Sequence, residues 1–237
     1  MRPGRRFASF VLLVSLGFAA AAGAGEAPPP IPIPHAGFEE AGPAGETGIP
    51  AGWQVVGELP AGASVARDPE VAFAGGASLR LASAALAEIT VASEPVALTV
   101  GKVYRLRARV RTAEVVSDPL ARYPTAVPAC LAMASFPFTN HSPAAGATRD
   151  WHELEMRFVA TRVADRVTLH LGRNGGARGT VWFDDLALEE VTDVADWIPL
   201  ETVRWAGPAW RAEQGGWLLV HIEGEPYQRG YQHGYLL

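Results

Sequence analysis

Residues 103–110 read Val103-Tyr104-Arg105-Leu106-Arg107-Ala108-Arg109-Val110, with Arg111 next. Tyr104, Leu106, Ala108 and Val110 fall on one side and the four arginines on the other. A period of two marks a strand with one face buried and one in water, whereas a helix would need apolar positions every three to four residues. The alternation recurs at 151–159, where His152, Leu154, Met156 and Phe158 oppose Glu153, Glu155 and Arg157, and again at Val167, Leu169 and Leu171. Asn174-Gly175 tolerates positive φ and precedes the apolar run 180–188, so a hairpin is expected between 167–171 and 180–188. Further strands are expected at 78–81, 88–92 and 95–100. No stretch from 37 to 191 carries a 3.6-residue period. Short alternating runs broken by turn formers, in a chain with 25 Gly and 19 Pro, predict an all-β fold, an antiparallel β-sandwich of jelly-roll type.

Composition supports a globular chain. Of 237 residues, 49% are hydrophobic and 19% charged, too apolar for a disordered protein. A net charge of −5 offers no basic face to nucleic acid. Lys102 is the only lysine among 20 basic residues, which lowers the weight of any one arginine cluster.

Outward from the sandwich, residues 1–24 read as a signal peptide. Arg2, Arg5 and Arg6 precede an apolar run from Phe7 to Ala22, and Ala22-Gly23-Ala24 is a small-residue cleavage site. The expected protein is secreted or periplasmic after cleavage near Ala24, with no membrane span. Residues 25–36 form a Pro-rich spacer, 37–191 the sandwich and 192–215 a linker. Trp217 to Glu223 reads as a strand, and Tyr227 onward as the start of a helix.

Several motifs resemble secreted carbohydrate-binding modules of the kind attached to cellulases and xylanases. They are Gly37-Phe38-Glu39-Glu40, Ile49-Pro50-Ala51-Gly52-Trp53, Gly76-Ala77-Ser78-Leu79-Arg80-Leu81, Gly101-Lys102-Val103-Tyr104-Arg105-Leu106 and Val181-Trp182-Phe183-Asp184-Asp185-Leu186. The resemblance covers about residues 37–190 and implies a galactose-binding-like jelly roll. It also implies a polysaccharide or glycan partner, and structural calcium held between Glu39 and Asp184. The tail, Gly216-Trp217 followed by Glu223-Gly224-Glu225-Pro226-Tyr227-Gln228-Arg229-Gly230, resembles the entry segment of N-terminal-nucleophile hydrolases of the phospholipase B-like and penicillin acyltransferase-like kind. It implies that residues 216–237 begin an incomplete hydrolase-like domain. No residue here matches that family's nucleophile.

Each candidate site has a structural alternative. On strict alternation Asp184 shares a face with Trp182, Leu186 and Leu188, where a carboxylate needs a partner: a cation or main-chain hydrogen bonds. Trp53, Tyr123 and Phe136, with Phe138 nearby, are candidates for stacking on sugar rings. Trp53 also reads as a core plug. The row Arg105, Arg107, Arg109 and Arg111 reads as an anion-binding face or as a solvated sheet face. Cys130, in an apolar run, reads as a core thiol, with a catalytic nucleophile the sharper alternative.

The expected function is therefore an exported, non-catalytic glycan-binding module at the N-terminus of a larger secreted hydrolase. Two alternatives stand beside it: the N-terminal part of an amide or ester hydrolase, and a structural or adhesive sandwich without a small ligand.

Overall fold

A computed structural model describes residues 30–45, 48–118, 127–136 and 141–191, together with the backbone of two further strands at 209–214 and 217–222. Nine strands build the sandwich. They are β1 (Trp53–Val55), β2 (Ala63–Asp68), β3 (Ser78–Ala87), β4 (Ile89–Ala97), β5 (Val103–Ser117), β6 (Val127–Met133), β7 (Ala147–Val159), β8 (Ala164–Arg173) and β9 (Ala177–Glu190). One sheet has four strands in the order β1-β4-β8-β6 and the other five in the order β2-β3-β9-β5-β7. All pairings are antiparallel. Among the described residues no helix is long and apolar enough to cross a membrane.

The expected alternation governs the core. Leu106, Ala108 and Val110 of β5 share the inner face of their sheet with Leu79 and Leu81 of β3, Leu154 and Met156 of β7, and Val181 and Phe183 of β9. Val91, Leu131, Leu169 and Leu171 come from the other sheet. Burying each such side chain contributes roughly 1.5–3 kcal/mol. Tyr104 is also buried, and its hydroxyl accepts the Thr99 N–H at 2.8 Å, so the polar tip is not orphaned.

Three expectations change. The Asn174-Gly175 turn does not close a hairpin. Strands β8 and β9 belong to different sheets, and the turn carries the chain from one to the other. Gly172, Asn174, Gly175 and Gly176 all have positive φ. A Cβ on Gly172 would lie 2.1 Å from the Ala87 carbonyl oxygen, so only glycine lets the strands cross there. The strands expected at 88–92 and 95–100 are one strand, β4, with a register shift between Ala92 and Pro95. Buried Ser93 sits in that irregularity, where its hydroxyl accepts the Val167 N–H and its carbonyl accepts Arg166 Nη1. Strand β10 (Ala209–Gln214) lies within the stretch read as linker and pairs with β11 (Trp217–Ile222). The segment read as a helix after Tyr227 lies outside the described residues.

Candidate functional site

The outer face of the five-stranded sheet is built from the outward half of each alternation. The register sets Ser64 beside Ala82, Ala82 beside Thr180, and Thr180 beside Ala113. One step along, Ala66, Arg80, Trp182 and Arg111 form the next row. The first row is the floor of a groove of about 900 Å³, lined also by Gly62, Glu114, Val116, Thr148 and Arg178. Irregularities in three strands shape it. The pairing of β3 with β9 shifts between Ser83 and Ala87, and that of β5 with β9 between Ala113 and Val116. Glu114 and Ala147 take positive φ. Gly179 is indispensable to this geometry: its φ is 111°, and a Cβ would lie 2.5 Å from the Glu114 carbonyl oxygen. Bulges raise local twist and bend strands, and small side chains on the floor leave the bend open. The Glu114 N–H donates to Thr148 Oγ1 at 2.9 Å, which ties β5 to β7 at the rim.

Beyond the groove, the arginine row of β5 is matched by carboxylates. Arg105 meets Glu189 at 2.8 Å and Arg109 meets Glu153 at 3.4 Å; Arg107 and Arg111 reach Glu189 and Asp150 at 3.4 and 3.8 Å. These arginines form a solvated, cross-strand charge lattice. Arg109 also lies 4.8 Å over the Phe73 ring, and Arg111 5.6 Å from Trp182. Phe73 is 44% exposed and stacks edge-on with Trp151 at 5.9 Å. It is the exposed aromatic of this face, and sequence periodicity, which sees strands and not loops, passed over it.

The predicted carboxylates do meet at one loop. Asp184 is 1% exposed. Its Oδ2 accepts the N–H groups of Phe73 and Ala74 at 2.7 and 3.0 Å, and Oδ1 accepts that of Asp185 at 2.7 Å. Both oxygens of Glu39 accept the Gly76 N–H at 3.0 Å. Burial raises the Asp184 pKa, the three N–H donors oppose the rise, and the nearby Glu39 charge adds to it. Strict alternation misplaces Asp184. A register shift between Arg107 and Arg109, with positive φ at Asp185, changes the phase of β9. Trp182 therefore faces outward while Leu186 and Leu188 face the core. Two carboxylates are fewer than the six to eight oxygens calcium takes. Among the described residues no cluster of three or more His, Cys, Asp or Glu forms a metal-binding group. Any further ligands would be main-chain carbonyls or water.

Of the predicted stacking residues, Trp53 and Phe136 are buried. Trp53 is 6% exposed, packs on Phe38 with ring centroids 5.1 Å apart, and donates its Nε1–H to the His35 carbonyl. Phe136 is 8% exposed and sits edge-on to Phe158 at 5.5 Å. A covered ring offers no face to a sugar. Tyr123 and Phe138 lie outside the described residues.

The outer face of the four-stranded sheet holds a polar cluster that sequence reasoning missed. Cys130 of β6 pairs with His170 of β8, which pairs with Thr90 of β4. His170 Nε2 lies 3.2 Å from Arg173 Nη1, and 2.9 Å from Thr168 Oγ1; Nδ1 lies 3.0 Å from Thr90 Oγ1. Arg173 only donates, so Nε2 accepts and the proton sits on Nδ1. Burial first, then the Arg173 charge and His141, bring the His170 pKa down to about 3. Burial pushes the Cys130 thiol up to about 12, against the opposing pull of Arg173. A thiol that keeps its proton is a poor nucleophile.

The fold and groove define a class: an antiparallel sandwich whose five-stranded sheet carries an open groove on its outer face. No family model and no curated protein matches the chain. Among solved structures, it is similar to the CBM22-1 xylan-binding domain from Paenibacillus barcinonensis Xyn10C, with 15% identity, TM-score 0.43, and coverage of 71% of this chain and 98% of that one. It is similar also to TmCBM61, solved with β-1,4-galactotriose, at 18% identity, TM-score 0.43 and coverage of 68% and 99%. A Stig cyclase, Fisc, from Fischerella sp. TAU reaches 16% identity, TM-score 0.48 and coverage of 68% and 97%. The hydrolase resemblance of residues 216–237 gains no support from these comparisons.

Proposed function

We propose that this protein is an exported, non-catalytic β-sandwich that binds a glycan chain in the groove of its five-stranded sheet. The groove carries this reading. It runs across the sheet, and its floor of Ala82, Ala113, Ser64 and Thr180 leaves room for a chain. The hydroxyls of Ser64, Thr148 and Thr180 suit a ligand made of hydroxyl groups. Exposed Phe73 supports a binding role over a purely adhesive one, since it leaves an aromatic ring at the loop rim. Export rests on the signal-peptide pattern of residues 1–24, and a covalently following hydrolase domain rests on the tail motif alone.

The test is retention of the full chain on polysaccharide gels, for the native protein and for Thr180→Trp, which fills the groove from its central strand. Retarded migration of the native protein and free migration of the variant, at equal melting temperatures, is the expected result. A folded native protein that no polysaccharide retards would remove the reading.

We also propose that Glu39 and Asp184 contribute to a structural calcium site, a reading supported by the closeness of a buried and a second carboxylate at one loop. A divalent ion there would stabilise the native state by mass action.

A further inference from the structure

Arginines on the outer face of the five-stranded sheet differ in what meets them. Those of β5 each have a carboxylate within ion-pair distance. Among the described residues, the side chains of Arg80 and Arg178 have no hydrogen bond or ion pair, and the buried Nε of Arg80 has no acceptor. These two flank the groove. Arg178 lines it directly. Arg80 lies two residues along β3 from the floor residue Ala82, on the same face, with Ala66 beside it on β2. The register puts Arg80 opposite Trp182, four residues along β9 from Arg178. At about 3.4 Å per residue and 4.8 Å between strands, the two Cα atoms are roughly 14 Å apart. The floor row lies between them. Glu114 is the one acid lining the groove, and it is exposed at the rim.

The Nε of Arg107 is likewise buried without a hydrogen bond, but Arg107 lies within ion-pair distance of Glu189, whereas Arg80 has no carboxylate beside it. Five N–H donors in a planar fork match a carboxylate or sulfate in a bidentate way. Resting on the glycan reading above, we infer that the groove takes an anionic polysaccharide, with acid groups of one chain meeting Arg80 and Arg178 at its two sides. The neutral floor accommodates the sugar rings between them. Carboxylate and sulfate share this chemistry, and the probes below separate them.

The experiment uses the full chain with polygalacturonate, its fully methyl-esterified form, dextran sulfate and neutral xylan, in affinity electrophoresis and titration calorimetry. Polygalacturonate binding is expected, with the methyl ester at least tenfold weaker because esterification removes the charge and keeps the backbone. Arg178→Gln and Arg80→Gln should each weaken binding about tenfold. Glu114→Gln should strengthen it by about twofold, since it removes a like charge. Arg178 is exposed, so its variant keeps the test valid if Arg80→Gln folds poorly. Preferential binding of dextran sulfate, weakened by the same two variants, would assign sulfate as the acid group. Binding of neutral xylan and methyl ester at the affinity of polygalacturonate, unchanged in Arg178→Gln, would overturn the anionic inference and leave the glycan reading standing. Binding of both polyanions that ignores both arginine variants would overturn it as well. Retention on none of the four would overturn both readings.

Discussion

Acid should destabilise this protein chiefly through one buried imidazole. In the folded state His170 is buried and neutral, its Nε2 facing an Arg173 N–H, and its pKa lies at about 3 against an ordinary 6.5. In the unfolded chain it protonates below 6.5. The unfolded state therefore binds more protons between the two values, so stability rises with pH through that window and is flat above it. The loss as pH falls is about 1.36 kcal/mol per unit. At pH 5 that is about 2 kcal/mol, and it reaches about 4 kcal/mol by pH 3, where the folded-state group itself begins to take up protons. His141, also shifted down by burial, adds in the same direction. Urea unfolding of the native protein and of His170→Gln at pH 7.5 and 5.0 isolates the term. His170→Gln is less stable at pH 7.5, because it disturbs the Thr90, Thr168 and Arg173 contacts, but it should lose about 2 kcal/mol less than the native protein on going to pH 5.0. An identical pH loss in both would mean that His170 is accessible to protons in the folded state, and the tautomer and burial argued above would be wrong.

Cys130 should resist iodoacetamide in the folded protein at pH 8 and react once urea unfolds it; mass spectrometry that finds rapid native labelling would contradict its inert thiol. Trp53→Ala should lower stability by about 3–5 kcal/mol, as for a large aromatic removed from a core, while a Trp53→Phe variant retains polysaccharide binding; lost binding in a folded Trp53→Phe protein would return Trp53 to the binding surface. Asp184→Asn should cost about 1–3 kcal/mol by weakening the N–H contacts of the 73–74 loop, read by urea unfolding in chelator. If the calcium proposal is right, chelator lowers the melting temperature of the native protein and leaves that of Asp184→Asn unmoved; superimposed native curves with and without chelator leave hydrogen bonding as the whole role of the pair. Gly179→Ala should distort the groove, since its Cβ would meet the Glu114 carbonyl, and should weaken glycan retention more than it lowers the melting temperature.

Strand identity was legible because it depends on nearest neighbours along the chain. Alternation at 103–111 and 151–159 named the inward residues of β5 and β7 correctly, and these two strands pair as their patterns allow. Sheet membership was not legible, because it depends on which partner a strand finds. Asn174-Gly175 signals a reversal, and the same residues serve a hairpin and a crossing between sheets. What decides is the close approach of Gly172 to Ala87, eighty-five residues away in the chain. Phase errors have a similar origin. The irregularity at Asp184 and Asp185 moves Trp182 from an expected inner position to the outer face, and a strict period of two has no means of showing it.

The site was the least legible part, for a reason that lies in the chemistry of stacking. Rules for sugar sites look for flat aromatic rings, and the features that make Trp53 and Phe136 good stacking surfaces, large apolar area and low side-chain entropy, also draw them into a core. The groove is made the opposite way, by residues too small to fill it: Ser64, Ala82, Ala113 and Thr180. Absence of side-chain bulk leaves no mark on hydropathy or on any motif. It becomes meaningful only when the register aligns four such residues from different strands in one row. Arginines show the same dependence on register. In the sequence, the consecutive row on β5 reads equally as an anion-binding face or as a solvated sheet face. In the sheet its charges are met by Glu153, Glu189 and Asp150 from neighbouring strands. Among the cations of the described residues left without a carboxylate are isolated ones, Arg80 and Arg178, ninety-eight residues apart and set on either side of the groove. A charge matters for binding when the fold withholds its partner, and that is a property of the sheet and not of the segment.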